Sequence, residues 1–174
     1  MEPIQIVAPG IWVQPWSETE VLGAVAWLWL QSPRHQQHTL AIFGQHLLPA
    51  IRRRQFALFS QGQQPIGYIT WALFNQTAEQ NYIKSNVSLL NQPEHWQCGG
   101  RMWFIDWFAP FGHSMVISRI MARRLFPTTI ARALHHHGDT TGLRINTFKG
   151  AAVSAAELAY WQQQNPVSVP IISV

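Results

Sequence analysis

Residues 102–108 restrict the fold of this chain more than any other stretch. They read Met-Trp-Phe-Ile-Asp-Trp-Phe, so six of the seven side chains are large and apolar. Aromatic and β-branched residues favour extended backbone, and a strand that is apolar at nearly every position is typical of one buried on both faces. Ala109-Pro110-Phe111-Gly112 then breaks the run. We therefore predict a central strand over 102–108 with other strands beside it.

Start and stop signals predict the remaining elements. Ser17 followed by Glu20 is a capping pattern ahead of an apolar run, which indicates a helix. A second helix is expected from the spacing of its apolar residues, with Pro49 ending or kinking it. The predicted elements are an extended arm over 1–16, helix 18–29, a second helix from about 40, hairpin strands 55–60 and 66–74, a mostly irregular stretch 75–100 that includes at most one short helix, helix 114–125, strands 130–137 and 143–148, and helix 152–163.

This order predicts an α/β (α+β) domain in which helices flank a mostly antiparallel central sheet. The N-terminal arm over 1–16 precedes one domain over 17–174, a length that can bury a sizeable core. Helix, helix, hairpin, strand, helix, strand, strand, helix is also the broad order of the GNAT-type acetyltransferase domain. The pattern alone does not select that fold.

The charge pattern favours anionic partners. Only 11% of the residues are charged, the net charge is +4, and every basic residue except Lys84 and Lys149 is arginine. The chain has nine tryptophans, and large aromatic surfaces often contact partners. The single Cys98 cannot form an internal disulfide, no basic residue precedes Arg34, and the apolar run 21–30 is too short to span a bilayer. We expect a cytoplasmic protein without a membrane span.

Asp106 is the residue in the aromatic strand that requires an explanation. It is one of two aspartates in the chain, and an ionised carboxylate among apolar side chains costs free energy unless it is paired. It either braces the strand end through hydrogen bonds or takes part in catalysis. A catalytic role requires a histidine, and composition does not choose among the eight histidines present.

A set of motifs makes that choice. Ser32-Pro33-Arg34-His35 follows Trp27-Leu28-Trp29, and Leu48-Pro49-Ala50-Ile51, Tyr68, Trp71, Trp103-Phe104-Ile105-Asp106-Trp107 and Ala109-Pro110-Phe111-Gly112 come after it. In order and spacing these motifs resemble the RTX (repeat-in-toxin) toxin-activating lysine acyltransferases over roughly residues 21–148. The resemblance implies that His35 and Asp106 are catalytic, that an acyl carrier protein (ACP) donates the acyl group, and that an internal lysine of an RTX protoxin accepts it.

The implied chemistry is consistent with these residue types. A lysine side chain has an ordinary pKa of about 10.4, so it is protonated at neutral pH and must lose a proton before it attacks a thioester. His35 is expected to accept that proton, and Asp106 to orient the imidazole and stabilise the imidazolium. The phosphopantetheine thiol, with a pKa of about 8.5, leaves without much acid assistance. No bound cofactor is expected.

Other residues are predicted to assist. Ser32, His46, Trp107 and Gly112 are candidate substrate-binding residues, and backbone amides near the end of the Asp106 strand or at the helix start after Gly112 are candidates to stabilise the oxyanion. Because ACP is acidic, exposed arginines are candidate docking residues, although they would equally serve as a solvated face: Arg52, Arg53, Arg54, Arg119, Arg123 and Arg124.

Alternatives remain at this point. The first is a GNAT enzyme that uses acyl-coenzyme A on another amine, although no clear Arg/Gln-x-x-Gly-x-Gly/Ala loop precedes the central helix. The second is a basic nucleic-acid-binding module without catalysis. Cys98 has no recognisable base beside it, and the run His135-His136-His137 lacks the partners of a zinc site, so neither a cysteine nucleophile nor a metal is expected.

Two departures from the family pattern leave the specificity open. Relatives commonly carry an asparagine at the position of His46, and Phe148-Lys149-Gly150-Ala151 replaces a His-Gly-Gly-Lys pattern seen in some members. The acyl chain length, the protein substrate and a possible homodimer are not determined by the sequence.

Overall fold

The structure is a computed structural model that describes residues 2–33, 35–85, 92–136 and 143–167. Its strands are β1 (Ile4–Val7), β2 (Phe56–Gln61), β3 (Gln64–Phe74), β4 (Arg101–Phe108), β5 (Ile130–His136) and β6 (Leu143–Lys149). Its α-helices are α1 (Glu18–Leu30), α2 (Leu40–Arg52), α3 (Gln76–Ser85), α4 (Ser114–Ile120) and α5 (Ala155–Gln164). Short 3-10 turns cover His35–Gln37 and Pro93–Trp96.

The six described strands form one sheet in chain order, β1 to β6. β1 with β2, β2 with β3, and β5 with β6 are antiparallel pairs, whereas β4 and β5 are parallel. The predicted mixed α/β class with a mostly antiparallel sheet is therefore confirmed. β4 lies in the interior of the sheet, as its apolar sequence predicts, but only Met102, Trp103 and Phe104 are fully buried and Ile105–Phe108 are half-buried.

The chain forms two compact units, Met1–Trp71 with Asp106–Arg119 and Ala72–Ile105 with Ile120–Val174. In the first unit, helices α1 and α2 cover strands β2 and β3. The core of this unit is made of apolar side chains from these four elements: Val21, Val25, Leu28, Trp29, Leu47, Ile51, Phe56, Leu58 and Tyr68. The spacing of Val21, Val25, Leu28 and Trp29 along α1 is the i, i+4, i+7, i+8 pattern of a helix that buries one face.

A buried ion-pair cluster lies in the second unit. Glu79 of α3 is 1% exposed. It accepts hydrogen bonds from Trp103 Nε1 at 2.8 Å and from Arg132 Nη1 at 2.7 Å, and it also pairs with Arg101. The Arg132 guanidinium lies 4.5 Å from the centre of the Trp161 ring and bonds the Asn165 carbonyl oxygen. The charges in this cluster are paired, as buried charges must be.

Most predicted element ends are confirmed, and their physical causes are visible. Ser17 caps α1 by accepting from the Glu20 amide at 3.4 Å, and the β2–β3 hairpin turns at Gly62, whose φ is +58°. β5 and β6 also lie where they are predicted. Within residues 1–16, the part over Ile4–Val7 is a strand paired with β2. His137 lies outside the described residues.

Two predictions needed correction. The sequence predicts an end or a kink at Pro49, but α2 does not end there and runs to Arg52, because Leu47, Ala50 and Ile51 are buried and hold the last turn in place although proline removes one helical hydrogen bond. The one short helix allowed for in the stretch 75–100 is α3, a ten-residue helix that begins where the Asn75 side chain accepts from the Ala78 amide at 2.8 Å. The helix over 114–125 is α-helical only to Ile120, and Met121–Leu125 form a π turn.

Among the described residues, no helix is long and apolar enough to cross a membrane.

Candidate active site

His35 lies directly after helix α1, in the short 3-10 turn that follows Pro33. Its ring nitrogen Nδ1 lies 2.9 Å from Ser32 Oγ, within hydrogen-bonding distance, and its backbone amide donates to the same oxygen at 3.5 Å. A partner at Nδ1 selects the tautomer of a histidine and therefore decides which nitrogen can take up a proton. If Ser32 Oγ accepts from Nδ1–H, Nε2 carries the lone pair.

Aromatic rings surround the His35 imidazole. Phe108 lies 4.4 Å away between ring centres, Trp29 lies 5.0 Å away, and the ring of His38 is 6.1 Å away. Trp29 is itself buried and its indole N–H donates to the Tyr68 hydroxyl at 2.8 Å. The imidazole is thus half-buried in a largely apolar setting and has few orientations available to it.

Asp106 lies near the end of strand β4 in the same unit. Its backbone amide donates to Thr70 Oγ1 at 3.2 Å, whereas its side-chain Oδ2 is buried and has no hydrogen-bond partner among the described residues. Because burial penalises the charged form, the pKa of Asp106 rises from 3.8 to about 6. A raised carboxyl pKa at a buried, unpartnered oxygen is typical of a functional site.

Phe108 connects the two predicted catalytic residues. Side chains two apart on a strand share a face and are roughly 7 Å apart, so Asp106 and Phe108 project to the same side of β4. Since the His35 ring packs on Phe108, the imidazole lies in the neighbourhood of the carboxyl group. Gly67 permits this arrangement, because a Cβ at that position would meet the Phe108 carbonyl oxygen at 2.8 Å and Ile117 Cδ1 at 2.7 Å.

Comparison with known proteins agrees with these motifs. Residues 14–149 match the model of the RTX toxin acyltransferase family. The chain belongs to this family. It is 40% identical over 134 residues to the protein-lysine myristoyltransferase RtxC of Kingella kingae, an alignment that covers 77% of this chain and 78% of that protein. It is 37% identical over 134 residues to the protein-lysine myristoyltransferase HlyC of Escherichia coli, which covers 77% of each chain.

A third relative is the leukotoxin-activating lysine-acyltransferase LktC serotype A1 of Mannheimia haemolytica, 37% identical over 131 residues, or 75% of this chain and 77% of that protein. The predicted family is confirmed, and the chain is an acyltransferase of the class that modifies lysine. Neither a nucleic-acid-binding module nor a GNAT enzyme for small amines is indicated by these relatives.

The other candidate substrate-binding residues lie on different elements of the first unit. His46 on α2 is half-buried, and burial, together with the nearby His38, lowers its pKa; His38 in turn packs on Trp29. Trp107 follows Asp106 on the strand, and because successive side chains alternate, it projects to the opposite face of β4. Gly112 has a φ of +80° and open space where a Cβ would lie, so a substitution there strains the backbone without crowding a neighbour.

The six candidate docking arginines lie at the surface or partly exposed, all in helices or their ends: Arg52, Arg53, Arg54, Arg119, Arg123 and Arg124. Arg52 is 62% exposed and pairs with Glu18 at 3.3 Å, an exposed ion pair that adds little to stability. Arg54 is unusual because its φ is +59°, a left-handed conformation that favours glycine.

The amides after α2 show why Arg54 adopts this conformation. Arg54 N donates to the Ile51 carbonyl at 2.9 Å and Gln55 N to the Ala50 carbonyl at 2.8 Å. These two bonds are the Schellman pattern, in which the residue after the C-cap is left-handed and is usually glycine.

Cys98 is not among the residues around His35 and Asp106. It belongs to the second unit, where its thiol donates to the His95 carbonyl and accepts from the Asn75 amide, both at 3.4 Å. In the described parts of the chain, no three histidine, cysteine or carboxylate side chains are grouped so that they could hold a metal ion.

Sequence reasoning assigned no role to Trp29, Tyr68 or Phe108, although Trp29 and Phe108 pack against His35 and Tyr68 packs against Phe108. The burial pattern of α1 identifies Trp29 as a core residue, but its contact with His35 depends on the turn after the helix. The contact of Phe108 with His35 joins residues 73 positions apart and has no local signal.

Proposed function

We propose that this acyltransferase moves a fatty acyl group from acyl carrier protein to internal lysines of an RTX protoxin in the cytoplasm, and thereby activates the toxin. The match to the RTX toxin acyltransferase family and the relative named as a leukotoxin-activating lysine-acyltransferase support the substrate class. The observation that carries the site assignment is the His35 ring, bonded at Nδ1 to Ser32 and packed on Phe108, two residues from Asp106. The GNAT-like character of the domain is proposed from the element order.

The reaction follows from these side chains. With Ser32 Oγ as acceptor for Nδ1–H, the Nε2 lone pair of His35 takes the proton that the lysine ammonium group must lose, and the neutral lysine nitrogen then attacks the thioester carbon. The nitrogen–carbon bond forms, the carbon–sulfur bond breaks, and the second proton of the amine goes to the departing pantetheine thiolate. The carboxylate of Asp106 stabilises the imidazolium electrostatically in a setting of low polarity.

The exposed arginines support docking of the acidic carrier protein. The exposed apolar side chains of the first unit, Trp27, Leu30, Phe111 and Met115, support contact with a further protein surface, that of the protoxin or of a second copy. Candidate substrate contacts at Ser32, His46, Trp107 and Gly112 belong to the same proposal.

The first experiment is co-expression with an RTX protoxin followed by intact-mass and peptide analysis. We expect a fatty acyl mass on internal lysines, and none with His35→Ala or Asp106→Ala at normal folding. Unmodified protoxin with the wild-type enzyme would contradict the substrate, and near-normal activity of either variant would remove that residue from the mechanism.

A second experiment offers both donors to the purified enzyme. Acyl-ACP is expected to support transfer. An enzyme that accepts acyl-coenzyme A but not acyl-ACP would contradict the carrier-protein proposal. Docking through arginine predicts that KM for acyl-ACP rises with salt, because exposed charges are screened. Arg53→Glu should raise this KM and flatten its salt dependence, while kcat changes little.

A further inference from the structure

Trp29 and Tyr68 form a buried hydrogen-bonded pair inside the first unit. Trp29 is 6% exposed and Tyr68 is 2% exposed, and the indole Nε1 donates to the Tyr68 hydroxyl oxygen at 2.8 Å. A phenol hydroxyl can accept and donate at the same time. The bond from Trp29 occupies an acceptor position on the oxygen, so the hydroxyl proton must point elsewhere.

The indole ring also supports the histidine side. Its centre lies 5.0 Å from the His35 ring and 5.4 Å from the His38 ring, and the Phe43 ring packs edge-on against it at 5.0 Å. Close packing leaves such rings few alternative rotamers. Trp29 therefore fixes the surface on which the His35 imidazole rests.

The tyrosine supports the carboxylate side. Tyr68 and Thr70 share one face of β3, as Asp106 and Phe108 share one face of β4. Residues of β3 and β4 contact each other here at two points: Asp106 N donates to Thr70 Oγ1 at 3.2 Å, and the rings of Tyr68 and Phe108 lie 6.0 Å apart. The neighbouring Asp106 Oδ2 is buried and accepts no hydrogen bond from the described residues.

We propose that Trp29 and Tyr68 are positioning residues that link the two catalytic side chains: the indole orients the His35 ring and fixes the Tyr68 hydroxyl, whose proton is directed toward the Asp106 carboxyl group. This inference rests on the proposed roles of His35 and Asp106. It assigns the tyrosine to setting the charge state of the aspartate and assigns it no contact with substrate.

The electrostatics agree with this placement. Burial raises the pKa of Tyr68 well above 10, and the nearby negative charge of Asp106 raises it further, so the hydroxyl stays protonated at working pH. A hydroxyl dipole with its proton toward Asp106 favours the ionised carboxyl group, which burial disfavours. Among the described residues, His35 and His38 are the further titratable groups whose rings contact Trp29.

The test measures the Asp106 carboxyl directly. The chain has only two aspartates, so aspartate labelled with carbon-13 at the carboxyl carbon gives two signals, which Asp106→Asn assigns. In Tyr68→Phe the apparent pKa of Asp106 should rise by at least about half a unit, and the acidic limb of kcat/KM should move up by the same amount. Tyr160→Phe, the same change at a 67% exposed tyrosine of the second unit, is the control and should leave both unchanged.

A double-mutant cycle tests the link to Trp29. Trp29→Phe keeps a ring beside His35 but removes the N–H donor, so it should lower kcat and shift the Asp106 titration in the same direction as Tyr68→Phe. The combined variant should shift it by clearly less than the sum, because both changes interrupt one hydrogen-bonded chain.

The outcomes separate this inference from the proposed function. An Asp106 titration that is the same in wild type and Tyr68→Phe, with both folded by circular dichroism and thermal unfolding, would overturn the positioning role even if His35→Ala is inactive. Strictly additive shifts would overturn the link through Trp29. A fully active His35→Ala would instead overturn the proposed catalytic site, whatever the titration shows.

Discussion

Glu79 and Asp106 both carry buried carboxyl oxygens, but the surroundings of these oxygens differ. Glu79 in the second unit pairs with Arg101 and Arg132 and accepts a bond from Trp103. Asp106 in the first unit has a buried oxygen with no hydrogen-bond partner in the described part of the chain, and its pKa is raised to about 6. The donors around Glu79 suit a carboxylate that stabilises the fold, whereas the surroundings of Asp106 suit the catalytic role that we propose for it, at a cost in stability.

The largest effect is expected where the paired carboxylate loses its charge. Glu79→Gln leaves the nearly buried Arg132 without its counter-charge, and breaking such a pair should lower the free energy of unfolding by about 3–5 kcal/mol. Urea denaturation measures this loss. Glu20→Gln at an exposed site of α1 is the matched control, and an equally small effect of both variants would break the comparison.

Asp106→Asn should have the opposite effect, a loss of activity without a loss of stability. It keeps the shape of the side chain but removes the charge, so acyl transfer should fall by at least about a hundredfold while the fold is retained. Single-turnover acylation of a protoxin peptide measures the rate. Activity within a few-fold of wild type would show that Asp106, like Glu79, is a structural carboxylate.

The pH dependence of stability sharpens the same contrast. The pKa of Asp106 is about 6 in the folded state and near 3.8 when exposed, so between these values the folded state holds a proton that the unfolded state has lost. Stability from this group is therefore present at low pH and is lost as pH rises toward and past about 6. Asp106→Asn should match wild type near pH 4 and exceed it at pH 7 in urea denaturation; a constant difference would contradict the raised pKa.

The smallest effect concerns Arg54, a second residue that lowers the stability of the fold. Its left-handed backbone, φ +59°, suits glycine, so Arg54→Gly should raise the free energy of unfolding by about 1 kcal/mol. Arg53 has an ordinary φ of −87°, and Arg53→Gly should instead lower stability slightly. If Arg54 is retained for docking, the stabilised Arg54→Gly variant should show a higher KM for acyl-ACP; an unchanged KM would remove Arg54 from the docking surface.

Local signals made much of the fold predictable. The Ser17 cap and the Gly62 turn each depend on a few neighbouring residues, and the apolar sequence of β4 required an interior position. The expected helix end at Pro49 was wrong, because burial of the flanking Leu47 and Ile51 outweighed the tendency of proline to end a helix. Asn75 is a cap that the polar composition around it obscured.

The catalytic roles of His35 and Asp106 stay predictions: motifs predict both residues, and the apolar setting singles out the aspartate independently. The pairings that surround them could not be read from the chain, because Trp29 with Tyr68 spans 39 positions and only the folded sheet brings such residues together. The same holds for the donors of Glu79, which come from β4 and β5.

The position of β1 has a consequence for how the chain folds during synthesis. β2 and β3 are joined by a tight turn, whereas Ile4 of β1 pairs with Gln61, a partner 57 residues later. Closing so long a loop is slow compared with forming a hairpin, so β1 is expected to join the sheet after β2 and β3 have paired. β1 is therefore synthesised before the strands with which it pairs, and its isoleucines stay exposed to other chains until those strands have formed.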